Sequence, residues 1–123
     1  MIATADPREA YRKIEFDARV QGADGRHLVG LCYEELLGAL DRAMRAAGAA
    51  DNLGKSRALT QAISAITALQ LGVSGEGDVV ASLRHFYEGA RRTLLDCAIS
   101  FDGKAVTRLR EDFAEIGAAL KQA

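Results

Sequence analysis

The sequence has no excess of charge and no long apolar run. Its 16 lysines and arginines are balanced by 17 aspartates and glutamates, so the formal net charge is -1. A chain with no positive excess has no field that would attract phosphate backbones or anionic lipid. No stretch approaches the roughly 20 consecutive apolar residues that a membrane-spanning helix needs. We therefore expect neither nucleic-acid binding nor membrane insertion.

Cysteine and histidine are scarce. Cys32, Cys97, His27 and His85 are widely separated, and none has a partner at metal-ligand spacing. The first eight residues lack the basic start and apolar run of a secretory signal. We predict a cytoplasmic protein with reduced, buried thiols and with no metal or other cofactor.

The sequence also shows no set of acidic residues arranged for catalysis. The acidic pairs Glu34-Glu35 and Glu111-Asp112 are adjacent in sequence. Adjacent residues diverge around a helix, whereas general acid and base catalysis needs groups that converge. We predict that the protein is not an enzyme.

Helical periodicity dominates what remains. The single proline, Pro7, lies near the start, and most glycines fall between periodic segments. Apolar residues recurring every three or four positions predict helices over residues 24–47, 54–71, 78–101 and 102–121. Asp24 and Asp102 precede two of these segments as candidate N-caps.

Four such helices with short connections predict an all-α fold, an antiparallel up-down four-helix bundle. We expect residues 23–123 to form this bundle as a single domain and residues 1–22 to be a mobile N-terminal segment. A shorter, weaker helical pattern in that segment contains Tyr11 and Ile14.

The first and third predicted helices have wider apolar stripes than a bundle helix requires, whereas the last helix has one narrow stripe that ends at Leu120. A wide stripe is also expected of a central helix that touches several neighbours. Taken together, the surplus predicts a groove in which an amphipathic helix docks. The apolar stripe of the last helix, including Leu120, is expected to lie wholly in the core.

A second hypothesis comes from His85-Phe86-Tyr87-Glu88-Gly89, which resembles the His-x-x-Lys-Gly motif of histidine phosphotransfer domains. Glu88 replaces the lysine, and its carboxylate would repel an arriving phosphoryl group. A generic helical adaptor with another client is a third hypothesis.

An ordered series of motifs resembles the FliS family of flagellin export chaperones over nearly the whole chain. The motifs are Ala10-Tyr11, residues 28–34 (LVGLCYE), residues 54–59 (GKSRAL) followed by residues 61–63 (QAI) and Ile66, and residues 83–95 (LRHFYEGARRTLL). The sequence departs from the family at Gly89, at Cys97-Ala98 and at Leu120, where the family has tyrosine, Ala-Asn and tryptophan.

The resemblance implies a bundle that binds the disordered C-terminal region of flagellin, prevents its premature polymerisation and aids its delivery to the type III export gate. It further implies contact with the export-gate protein FlhA, and with FliW through shared flagellin. Residues that match family motifs and fall on the surplus strips are the predicted groove residues: Leu31, Tyr33, Ile63, Ile66, Leu83, Tyr87 and Leu94. Tyr11 and Ile14 would belong to the movable N-terminal segment.

Overall fold

The structure, a computed structural model, describes the backbone of residues 25–121 and the side chains of residues 27–121. These residues form four α-helices joined by short connections. The helices are α1 (Gly25–Gly48), α2 (Asn52–Gly72), α3 (Asp78–Ile99) and α4 (Gly103–Lys121). The predicted all-α fold is confirmed. The weak pattern that contains Tyr11 and Ile14, and the candidate cap Asp24, lie outside the described residues.

Local side-chain chemistry explains where the helices begin. The Asp102 carboxylate accepts hydrogen bonds from the amides of Lys104 and Ala105 at 3.1 and 3.2 Å, which confirms it as the cap of α4. Asp51 caps α2 in the same way, because its carboxylate accepts a 2.9 Å bond from the amide of Gly54.

The break between α2 and α3 depends on glycine. Gly75 and Gly77 have φ angles of 95° and 115°, in the region that glycine alone adopts without a steric penalty. The chain therefore reverses direction between residues 73 and 77, as the turn-rich sequence predicts.

Neighbouring helices run antiparallel. The Met44 sulfur, near the end of α1, lies 3.9 Å from the Thr107 hydroxyl near the start of α4. The Lys55 ammonium near the start of α2 lies 5.3 Å from the Phe101 ring just beyond α3. The helices α1 and α2 pack most extensively, and the seam between α3 and α4 is the most sparsely packed.

All four helices contribute to one hydrophobic core. Its largest fully buried side chains are Leu36, Leu40, Leu59, Ile66, Tyr87, Leu94, Val106 and Phe113. Cys32 and Cys97 are buried free thiols, as predicted. Among the described residues, no helix is long and apolar enough to span a membrane.

Candidate functional site

A groove of about 970 Å³ runs between α1 and α4. Most of its lining is apolar or small, and charged or polar side chains stand among these residues. The lining comprises His27, Val29, Gly30, Leu31, Tyr33, Glu34 and Leu37 from α1 and Arg110, Ala114, Gly117, Ala118, Leu120 and Lys121 from α4. We call this surface the α1/α4 groove.

The groove has a buried floor and an exposed apolar edge. Leu31 and Tyr33 line it but are only 3% and 4% exposed, so they form its floor. Leu120 is 38% exposed and Leu37 is half-buried, so both present apolar surface to a docked molecule. Such a surface suits the apolar face of an amphipathic helix.

Tyr33 is held in place from several directions. Its hydroxyl shares a buried 2.7 Å hydrogen bond with the Tyr87 hydroxyl of α3. Its ring meets the Phe113 ring edge-on at a centroid distance of 5.8 Å, and Tyr87 stacks on the same phenylalanine at 6.2 Å. The floor of the groove is therefore attached directly to the core.

The environment of this pair keeps both phenols protonated. Burial raises the pKa of Tyr33 and of Tyr87 above the ordinary value of 10.0. The shared hydrogen bond raises the pKa of Tyr33 further. The two hydroxyls thus act as a neutral polar link between α1 and α3.

An ion pair fastens the two walls of the groove. Arg110 of α4 donates to the Asp41 carboxylate of α1 from Nε at 2.9 Å and from Nη2 at 3.4 Å. Both side chains are partly exposed, so the pair contributes at most about 1 kcal/mol to stability. It bridges α1 and α4 beside the groove, which Arg110 also lines.

The structure separates the predicted groove residues into three groups. Leu31 and Tyr33 line the α1/α4 groove. Ile66, Tyr87 and Leu94 are fully buried in the core, so they do not supply the surplus exposed surface that their positions suggested.

Ile63 and Leu83 are half-buried against the core and also lie away from the groove. Tyr11 and Ile14 lie outside the described residues. Of the seven predicted groove residues that the structure describes, only Leu31 and Tyr33, both on α1, line the α1/α4 groove.

The expectation that the apolar stripe of the last helix lies wholly in the core is wrong. Val106, Leu109 and Phe113 are buried, but Leu120 is exposed and lines the groove, so it is not a core position. The overlooked signal is the set of small residues Ala114, Gly117 and Ala118, which leave one side of α4 too shallow to fill the space beside α1.

The histidine of the alternative hypothesis stands apart from the groove. His85 is exposed on α3, and Glu88, one turn further along, pairs with Arg91 at 3.8 Å. The carboxylate that would repel a phosphoryl group therefore lies next to the imidazole. Within the described part of the chain, no cluster of three or more His, Cys, Asp or Glu side chains is arranged to hold a metal ion.

Comparisons with known proteins agree with this architecture. Residues 7–123 match the family model described as flagellar protein FliS. The chain is also similar to the flagellar secretion chaperone FliS of Salmonella typhimurium (strain LT2). The two are 27% identical over 122 residues, in an alignment that covers 97% of this chain and 90% of the relative.

Proposed function

The chain belongs to the FliS family of flagellar proteins, and on this premise we propose that it is a cytoplasmic secretion chaperone that binds the C-terminal region of flagellin in the α1/α4 groove. The Salmonella relative is named as a flagellar secretion chaperone. The proposal gives this chain the same role, and no step of it requires a catalytic group or a cofactor.

The groove is the observation that supports the binding mode. It lies between two antiparallel helices, and its apolar floor and edge include Leu31, Leu37 and Leu120. A helical client would place residues spaced three and four apart against this surface. Glu34, Arg110 and Lys121 also line the groove, so charged side chains of both signs lie beside its apolar surface.

Reversible binding follows from a disordered client. A segment that folds as it binds loses conformational entropy, and this loss offsets part of the interaction energy. A large interface can then remain releasable without nucleotide hydrolysis. Covering the apolar stripe through which flagellin subunits polymerise would keep them unassembled until export. In this proposal FlhA receives the loaded chaperone, and FliW meets it through shared flagellin.

A titration with a flagellin C-terminal peptide tests the proposal. Isothermal titration should give a saturable complex, and circular dichroism should show a gain of helix beyond the sum of the two free molecules, because the peptide orders on binding. A peptide that neither binds nor gains helix would contradict the proposal and favour an adaptor with another client.

Two neighbouring alanines on α4 provide a matched pair for locating the site. Both are exposed, but Ala118 lines the groove and Ala119 does not. Ala118→Arg should weaken the peptide complex by at least about tenfold, since a long charged side chain would occupy the groove. Ala119→Arg should change the affinity by less than about twofold. Equal effects of the two substitutions would place the client elsewhere.

A further inference from the structure

Two glycines line the α1/α4 groove, one in each wall, and they differ in what surrounds them. A Cβ atom added to Gly30 would meet no described atom within 4 Å. A Cβ atom added to Gly117 would lie 3.0 Å from Cδ2 of the Tyr33 ring and 3.6 Å from Cε2. An approach of 3.0 Å is closer than ordinary van der Waals contact, so the ring would have to move.

The Tyr33 ring has little freedom to move. Its hydroxyl is bonded to the Tyr87 hydroxyl at 2.7 Å, and its edge packs on Phe113. Phe86 completes the cluster with its ring centroid 4.8 Å from that of Phe113. A displacement that relieved contact with residue 117 would therefore lengthen the hydroxyl bond or disturb the aromatic packing.

Helix formation does not explain glycine at this position. Gly117 lies inside α4, and its backbone does not adopt the positive φ that favours glycine. Alanine is the better helix former at such a site. The close approach of the Tyr33 ring therefore explains why residue 117 has no side chain.

We propose that Gly117 is a positioning residue for the client site: its lack of a side chain allows the Tyr33 ring to lie against α4 and form the floor of the groove. The expected effect on client binding rests on the proposed function. The close packing of the Tyr33 ring against Gly117 does not depend on any client. Gly117 therefore acts on the client through Tyr33, and the shape of the floor depends on both residues.

The variants Gly117→Ala and Gly89→Ala test the proposal. Each gains the helix propensity of alanine inside a helix. Gly89 lies in α3, away from the groove, and a Cβ atom added there would meet no described atom within 4 Å. Gly117→Ala should weaken binding of the flagellin peptide by about tenfold, because the displaced ring deforms the floor. Gly89→Ala should bind within about twofold of the unmodified protein.

The near-ultraviolet circular dichroism spectrum gives a readout that needs no client. The chain has no tryptophan and three tyrosines, so Tyr33 and Tyr87 contribute much of the signal. Gly117→Ala should change the tyrosine bands while the far-ultraviolet helical signal stays constant. Gly89→Ala should leave both regions unchanged.

A double-mutant cycle then tests whether residue 117 acts through the hydroxyl bond. If Gly117→Ala already breaks the bond between Tyr33 and Tyr87, adding Tyr33→Phe should destabilise that variant by roughly half or less of what it does in the Gly89→Ala background. Additive effects together with unchanged peptide binding would overturn the proposal.

The unmodified protein supplies a measurement in case Gly117→Ala does not fold. A nuclear Overhauser contact between the Gly117 Hα protons and the Tyr33 ring, with a slowly exchanging hydroxyl proton at Tyr33 or Tyr87, is expected; absence of the ring contact would overturn the proposal. If the ring contact and the double-mutant cycle behave as expected but the peptide never binds, the packing of Gly117 against Tyr33 is supported and the proposed function is contradicted.

Discussion

At the scale of single residues, the bond between the Tyr33 and Tyr87 hydroxyls is the most consequential contact. It joins α1 to α3 within an otherwise apolar core. In the described part of the chain, no buried side-chain oxygen or nitrogen lacks a hydrogen-bond partner. Because each hydroxyl satisfies the other, removing one should destabilise the fold by about 1–3 kcal/mol, whereas removing both should cost much less.

The same pair predicts a loss of stability in alkaline solution. Folding raises the pKa of both tyrosines above 10.0, so their contribution is fully present below that pH. Above about pH 10 the unfolded chain releases these protons more readily than the folded chain, and the free energy of unfolding should fall.

Urea unfolding at a series of pH values from about 8 to 11 measures this fall. The double variant Tyr33→Phe/Tyr87→Phe is the control and should show a shallower decline, with the remainder coming from other groups such as the buried Cys32 thiol, whose pKa is also raised by burial. Equal declines in the two proteins would rule out the tyrosine pair as the source.

Replacing Tyr87 and replacing Leu120 by aspartate should have different effects. Tyr87 is 1% exposed in the core, whereas Leu120 is 38% exposed in the groove. Tyr87→Asp buries a charge without a partner and should unfold the bundle, because such burial costs several kcal/mol. Leu120→Asp should retain the helical signal and lose peptide affinity. Far-ultraviolet circular dichroism and titration calorimetry together separate the two outcomes, and a folded Tyr87→Asp variant would contradict the burial described for this residue.

At the scale of the helices, the residue at which a helix begins depends on a local capping interaction, which a single substitution can test. Asp102→Ala removes the acceptor for two amides at the start of α4 and should lower stability by about 1 kcal/mol. Asp102→Asn keeps an acceptor and should lose much less. Thermal unfolding of both variants checks the prediction, and an equal loss would assign the effect to charge rather than to capping.

Local signals also explain what sequence analysis could establish. The helix predicted over residues 102–121 is observed as Gly103–Lys121, and the one predicted over 78–101 ends at Ile99. Caps, glycine turns and apolar spacing all act within a few residues, so they can be recognised in one sequence.

The rotation of each helix in the bundle could not be obtained in the same way. The prediction placed Leu94 on the surplus strip of α3. In the structure Leu94 is fully buried and Leu95 is exposed. Which strip faces the core depends on contacts with helices distant in sequence. The sequence pattern therefore did not show that Tyr87 and Leu94 are buried, nor that small residues of α4 line a groove beside α1.

At the scale of the whole molecule, the central question is which apolar surface receives the client. Exposed apolar side chains also occur away from the groove, at Leu53, Leu71, Val79, Leu95 and Ile99. Ile99, for example, is 89% exposed. Isolated apolar residues of this kind are common on protein surfaces, whereas the α1/α4 groove combines exposed Leu120 and half-buried Val29 and Leu37 with a concave shape.

Methyl nuclear magnetic resonance during titration with the flagellin C-terminal peptide tests this claim most directly. The groove supplies methyl groups from Val29, Leu31, Leu37 and Leu120, and the control methyl groups belong to Leu53, Leu71 and Ile99 on other surfaces. We predict large shifts confined to the groove set. Shifts concentrated in the control set, with the groove unchanged, would contradict the assignment of the client to the α1/α4 groove.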